Sequence, residues 1–111
     1  MQVEERLLQL SKEIDEAHAK LAEADQRLVE KEFAFKKGMA DARTRISHSD
    51  NKMRVQEVDD RALIINEMAY LEYLTAQQIV RAAKSNADRL DTQVQIAQSV
   101  GASVRASMTI A

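Results

Sequence analysis

Apolar residues open the chain at alternating steps of four and three: Val3, Leu7, Leu10, Ile14, Ala17, Leu21, Ala24 and Leu28. On a helix of 3.6 residues per turn this spacing gathers them into a single stripe, the seam of a coiled coil. Charged residues fill the other faces. Glu16 with Lys20 and Glu23 with Arg27 stand one turn apart, and each such pair adds only about 0.2–0.5 kcal/mol to an isolated helix. The stripe continues through Phe35, Met39, Ala42 and Ile46, but Lys31 and Gly38 occupy positions where strict heptads place apolar side chains. Packing is expected to loosen or shift there. The run Ser47-His48-Ser49-Asp50-Asn51-Lys52 then breaks the pattern. Ser, Asp and Asn compete for backbone hydrogen bonds and favour caps and turns. The spacing therefore predicts a helix over 3–46 and a turn over 47–52, with Ser49, Asp50 or Asn51 capping the next helix.

A second helix is predicted over 53–108, with Ser85-Asn86 and Gly101 as the points where it would be interrupted. Its seam runs Ala62, Asn66, Ala69, Tyr73, Ala76, Val80, Ala83, Ala87, Leu90, Val94, Ala97, Gly101, Val104 and Met108. Alanine dominates this line, so a partner helix can come close. Ile64, Met68, Leu71, Ile79 and Ala82 add a flanking stripe, and the combined face is too wide for one neighbour. The two helices, roughly 66 and 82 Å long at 1.5 Å per residue, fold back unequally. Ile46 would meet Met53, Phe35 would lie near Ile64 and Leu7 near Thr92, leaving roughly the last 15 residues overhanging. From Val94 on, the chain carries one charge, Arg105, among Val94, Ile96, Val100, Val104, Met108 and Ile110. Such a tail is expected to be covered by another chain.

The fold class expected is thus all-α. Residues 1–111 form one helical unit, a long antiparallel, coiled-coil-like hairpin assembling into a multi-helix oligomer. The residues expected at the interface between copies are Ile64, Met68, Leu71, Tyr73, Ile79, Val80, Leu90, Val94, Val104 and Met108. Tyr70, Tyr73, Leu71 and Leu74 form an amphipathic patch that belongs to the core or to that interface.

Composition narrows the function without naming it. The chain has no proline, only two glycines and four aromatics, too few for a turn-rich fold or a thick core. It has no cysteine, which rules out disulfides and thiolate metal sites. No uncharged apolar run reaches the roughly 18 residues of a membrane span, and the charged start MQVEERLLQLSKEIDE lacks a signal-peptide core. A cytoplasmic protein without membrane contact is expected.

Charge is unevenly placed. Residues 1–32 and 55–73 each sum to −4, while 36–54 sum to +4. That basic island, Lys36, Lys37, Arg43, Arg45, Lys52 and Arg54, converges on the closed end of the predicted hairpin. A solvated tip is the simplest reading of it. Clustered cations also attract nucleic-acid phosphates by counterion release, and Phe33 and Phe35 nearby offer stacking surfaces for single strands. Asp41 and Asp50 within the island weaken that case, and an acidic protein partner is the remaining alternative.

Catalysis finds no support. Asp15-Glu16-Ala17-His18 spells a helicase box, but that box works beside a glycine-rich phosphate loop, which this chain lacks. Asp15 and His18 would need further ligands on a facing helix to hold a metal, and the one other histidine, His48, falls at the far end. Ser47-His48-Ser49-Asp50 contains the residue types of a hydrolytic triad, but neighbours on a turn supply neither its geometry nor an oxyanion hole. No enzyme activity, cofactor, metal or small-molecule substrate is expected.

The stretch LDTQVQIAQSVGASVRA, from Leu90 to Ala106, resembles the end of small coiled-coil proteins encoded by bacteriophages, in which a leucine-rich helix closes on a glycine, a small residue and an arginine. Residues 52–62 resemble them more loosely, so the likeness covers about half the chain, and its glutamine-rich 93–98 segment is less charged than the family pattern. Many such proteins have no assigned activity. Some are encoded near genes for single-strand annealing and replication, so the resemblance favours an accessory binder of single-stranded nucleic acid in a recombination or replication module, and a phage origin would place the chain in the host cytoplasm. Beside these stand the homo-oligomer expected from the seams and, as a third reading, a small inhibitor docking on another phage or host protein.

Overall fold

The computed structural model describes residues 2–49 and 52–110, and it is helical almost throughout. Among the described residues there are three helices: α1 (Val3–Ser49), α2 (Val55–Ile65) and α3 (Glu67–Ile110). None is long and apolar enough to cross a membrane.

The helix ends differ from expectation at three places. First, α1 continues past Ile46 to Ser49. The Ser49 hydroxyl donates to the Arg45 carbonyl at 3.0 Å, as Thr44 does to Ala40 at 2.9 Å. Both satisfy themselves against the preceding turn instead of ending the helix. Second, the cap of α2 is Arg54, in extended conformation and without a side-chain bond, its carbonyl accepting from Val58 N–H at 3.0 Å. Ser49 is therefore not the cap, and the candidates Asp50 and Asn51 lie outside the described residues. Third, Ser85, Asn86 and Gly101 are all helical, and the interruption falls at Asn66. Backbone bonding is kept on either side of it: Asn66 N–H donates to Ala62 O at 3.0 Å, and Tyr70 N–H to Asn66 O at 3.1 Å.

Contacts divide the chain into two units, one made of residues 1–23 with 81–111 and the other Ala24–Val80. Each unit holds its own cluster of buried side chains. In the first unit Leu10, Ala17, Ala87 and Leu90 are buried, with Ile14, Val94 and Ala97 packed against them. Arg6 Nη2 donates to Gln93 Oε1 at 3.4 Å, and His18 Nε2 lies 3.7 Å from the Asp91 carboxylate. Val3 packs against Gly101, where an added Cβ would come within 3.1 Å of Val3 Cγ1. The side chains from Ala102 to Thr109 are exposed, so the uncovered tail is shorter than expected.

In the Ala24–Val80 unit the cluster is Met39, Ala42, Ile46 and Ala62, joined by Phe35, Met53, Val58 and Leu63. Arg43 Nε pairs with Asp59 Oδ1 at 2.7 Å and Lys31 Nζ with Glu72 Oε2 at 3.0 Å, so partner numbers rise along α2 and α3 as they fall along α1. Phe35 does not meet Ile64. Its ring lies 5.2 Å from Tyr70 and 5.5 Å from Tyr73, offset-stacked on the latter at 22°.

Asn66 explains the irregularity at Gly38. Its side-chain Nδ2 donates to the Phe35 carbonyl at 2.9 Å. An added Cβ at Gly38 would collide with Asn66 Oδ1 and lie 2.8 Å from both Cγ and Nδ2. A side chain at 38 would therefore displace the amide that bridges the two segments.

Candidate interaction surfaces

Folding leaves more large apolar side chains outside than inside. Among the described residues ten hydrophobics are buried, six of them alanines, the large ones being Leu10, Met39, Ile46 and Leu90. Thirteen large hydrophobics among the described residues are exposed. The chain exposes 8462 Å², whereas folded monomers of its 12.5 kDa mass expose about 6,200 Å².

The exposed apolar residues concentrate on one side of the Ala24–Val80 unit. Ile64 and Met68 are 70% and 71% exposed, and Ile65, Leu71 and Ile79 are exposed by about half. Two recesses lie along this side. One, of about 450 Å³, has Ile46, Met53, Ile64 and Ile65 between Arg45 and Arg61. The other, of about 220 Å³, has Met68, Leu71 and Ile79 beside Arg27 and Lys31. Arg61, Ile64, Met68, Leu71, Thr75 and Ile79 follow at three- and four-residue steps, and Arg27, Lys31 and Arg45 repeat along one side of α1, so both recesses share a face. The Thr75 hydroxyl donates to the Leu71 carbonyl at 2.8 Å, which removes its polarity from that face.

Of the other residues expected at an interface, some pack within the chain and some stay exposed. Leu90 is buried and Val94 packs on it, because the 1–23 segment covers them. Tyr73 stacks on Phe35, and Tyr73 and Val80 are half-buried. Val104 and Met108 are exposed, because Val3, near the start of α1, is already opposite Gly101. The Ile110 side chain lies outside the described residues.

The basic island is partly neutralised. Lys36 Nζ is 2.8 Å from Glu32, whose hydrogen bond and charge hold the ammonium pKa above its usual value. Arg43 is taken by Asp59, and Lys52 also has an interaction partner. Lys37, Arg45 and Arg54 carry no ion pair among the described residues. Phe33 is exposed, while Phe35 belongs to the packed interior. Of the other candidates, Ala17 is buried in the first cluster, and among the described residues no three His, Cys, Asp or Glu side chains converge on a metal position.

Known families, curated proteins and solved structures were each compared with this chain. It matches none of them.

Missing from the sequence reading was Ile65, which lies off the seam spacing yet lines the larger recess. The place of Arg27 beside Met68, Leu71 and Ile79 depends on the pairing of segments distant in sequence, whereas Arg61, one turn before Ile64, is a position that spacing alone could have found.

Proposed function

We propose that the chain is a non-enzymatic structural or interaction protein, a helical hairpin that works as a homo-oligomer through the exposed face of α2 and α3. The observation that carries this reading is the excess of exposed over buried large hydrophobics, with five of the exposed ones on one face. Contiguous apolar patches of that kind mark interaction sites. Val104 and Met108, in the uncovered tail, add a second apolar strip. Sedimentation velocity at micromolar concentration should return a dimer or a larger species. A monomer that melts cooperatively would overturn the proposal.

A second reading, contact with single-stranded nucleic acid, is favoured by Lys37, Arg45 and Arg54 alone, since the rest of the island is already engaged. It predicts salt-sensitive binding at about 50 mM salt that is lost in the Lys37→Glu/Arg45→Glu variant. Undetectable binding of the unaltered protein at that salt removes it.

A further inference from the structure

Resting on the homo-oligomer reading, we propose that the occupant of the two-recess face is the same face of a second copy, seated antiparallel about a two-fold axis beside Leu71.

The stripe is nearly symmetric about its own middle. Ile64 and Met68 precede Leu71, and Thr75 and Ile79 follow it at matching steps. Turned end for end, Ile64 of one copy falls opposite Ile79 of the other, and the two Leu71 side chains flank the axis. A single patch meeting itself in this way closes the assembly and leaves no sticky end. The arrangement also accounts for the width of the stripe. A helix lying in this groove contacts both the α2–α3 edge and the α1 edge of its host, so it needs an apolar face wider than one neighbour requires.

Charge points to the same occupant. On the α1 edge of the smaller recess Arg27 is the cation without an ion pair among the described residues, since Lys31 is already paired with Glu72 of its own chain. The register follows from one contact. Lys31 lies level with Glu72, so Arg27, one turn earlier on α1, lies level with residues 75–76. Opposite those, across an axis beside Leu71, comes Glu67 of the second copy. Arg27 and Glu67 are both exposed and without an ion pair among the described residues. Opposite charges at such positions fix partner choice and register, and like charges there oppose association.

Because the chain has no cysteine, a single introduced thiol reports the interface cleanly. Under mild oxidation the full-length Leu71→Cys variant should run mostly as a covalent dimer, since a disulfide forms only where Cβ atoms approach to about 4 Å. Ile96→Cys, exposed on the other unit, should stay uncrosslinked. Glu67→Arg should raise the dimer dissociation constant about tenfold or more, and Arg27→Glu combined with it should restore association. A protein that sediments as an oligomer but crosslinks at 96 and not at 71, or whose charge reversal is not rescued, overturns this seating and leaves the homo-oligomer standing. A monomer overturns both.

Discussion

Gly38→Ala is expected to destabilise the protein by about 1–2 kcal/mol, against the usual sign for glycine to alanine inside a helix. Alanine at an interior position ordinarily gains about 1 kcal/mol over glycine. Here the added methyl collides with the Asn66 amide. That amide is two bonds from its backbone and cannot retreat without leaving the Phe35 carbonyl. Losing the bond costs about 1 kcal/mol, and overpacking costs about 1–3 more. The decisive result is the double variant. Asn66→Ala empties the space the new methyl needs, so Gly38→Ala/Asn66→Ala should be at least as stable as the unaltered chain. The cycle should show about 2 kcal/mol of favourable coupling in urea-denaturation midpoints. Additive single changes would mean that the two residues do not share the space.

Leu10→Ala should be the most damaging simple truncation, costing about 3 kcal/mol within the 2–5 measured for such sites. Among the described residues Leu10 is the one large side chain less than 2% exposed. It packs with Ala17, Ala87 and Leu90, and two of these are methyl groups unable to extend into the vacancy. Leu8→Ala, two residues away and 74% exposed, should shift the denaturation midpoint little. Equal effects at the two positions would contradict the orientation of α1.

The seams were legible because helical periodicity is a local signal. All ten buried hydrophobics, from Leu10 to Leu90, lie on one of the two lines of three- and four-residue steps. The interruption was not legible. Asn66 sits between Ile65 and Glu67 without a glycine, a proline or a serine cluster to announce it, and it falls on the seam like any other member. Its reason for being there is Gly38, 28 residues earlier, and that pairing appears only once the register is known. The end of α1 was misplaced for a related reason. Ser and Thr signal turns by composition, but their hydroxyls are equally satisfied by a carbonyl one turn back, as at Thr44 and Ser49. Leu90 and Val94 were assigned both to the seam and to a surface for other copies, and packing within the unit decides between the two. The exposed face was legible in outline, since Ile64, Met68, Leu71 and Ile79 were excess to any single seam. Its border on α1 was not, because Arg27 comes together with it only through folding.

Six alanines among ten interior positions make the tolerance of this molecule lopsided. Trimming one to glycine leaves only a small hole but loosens its helix by about 1 kcal/mol. A larger group at Ala62, fully enclosed, acts as a wedge that drives two backbones apart along several turns. The interior is therefore closed to change in both directions, and substitutions are absorbed on the exposed faces instead.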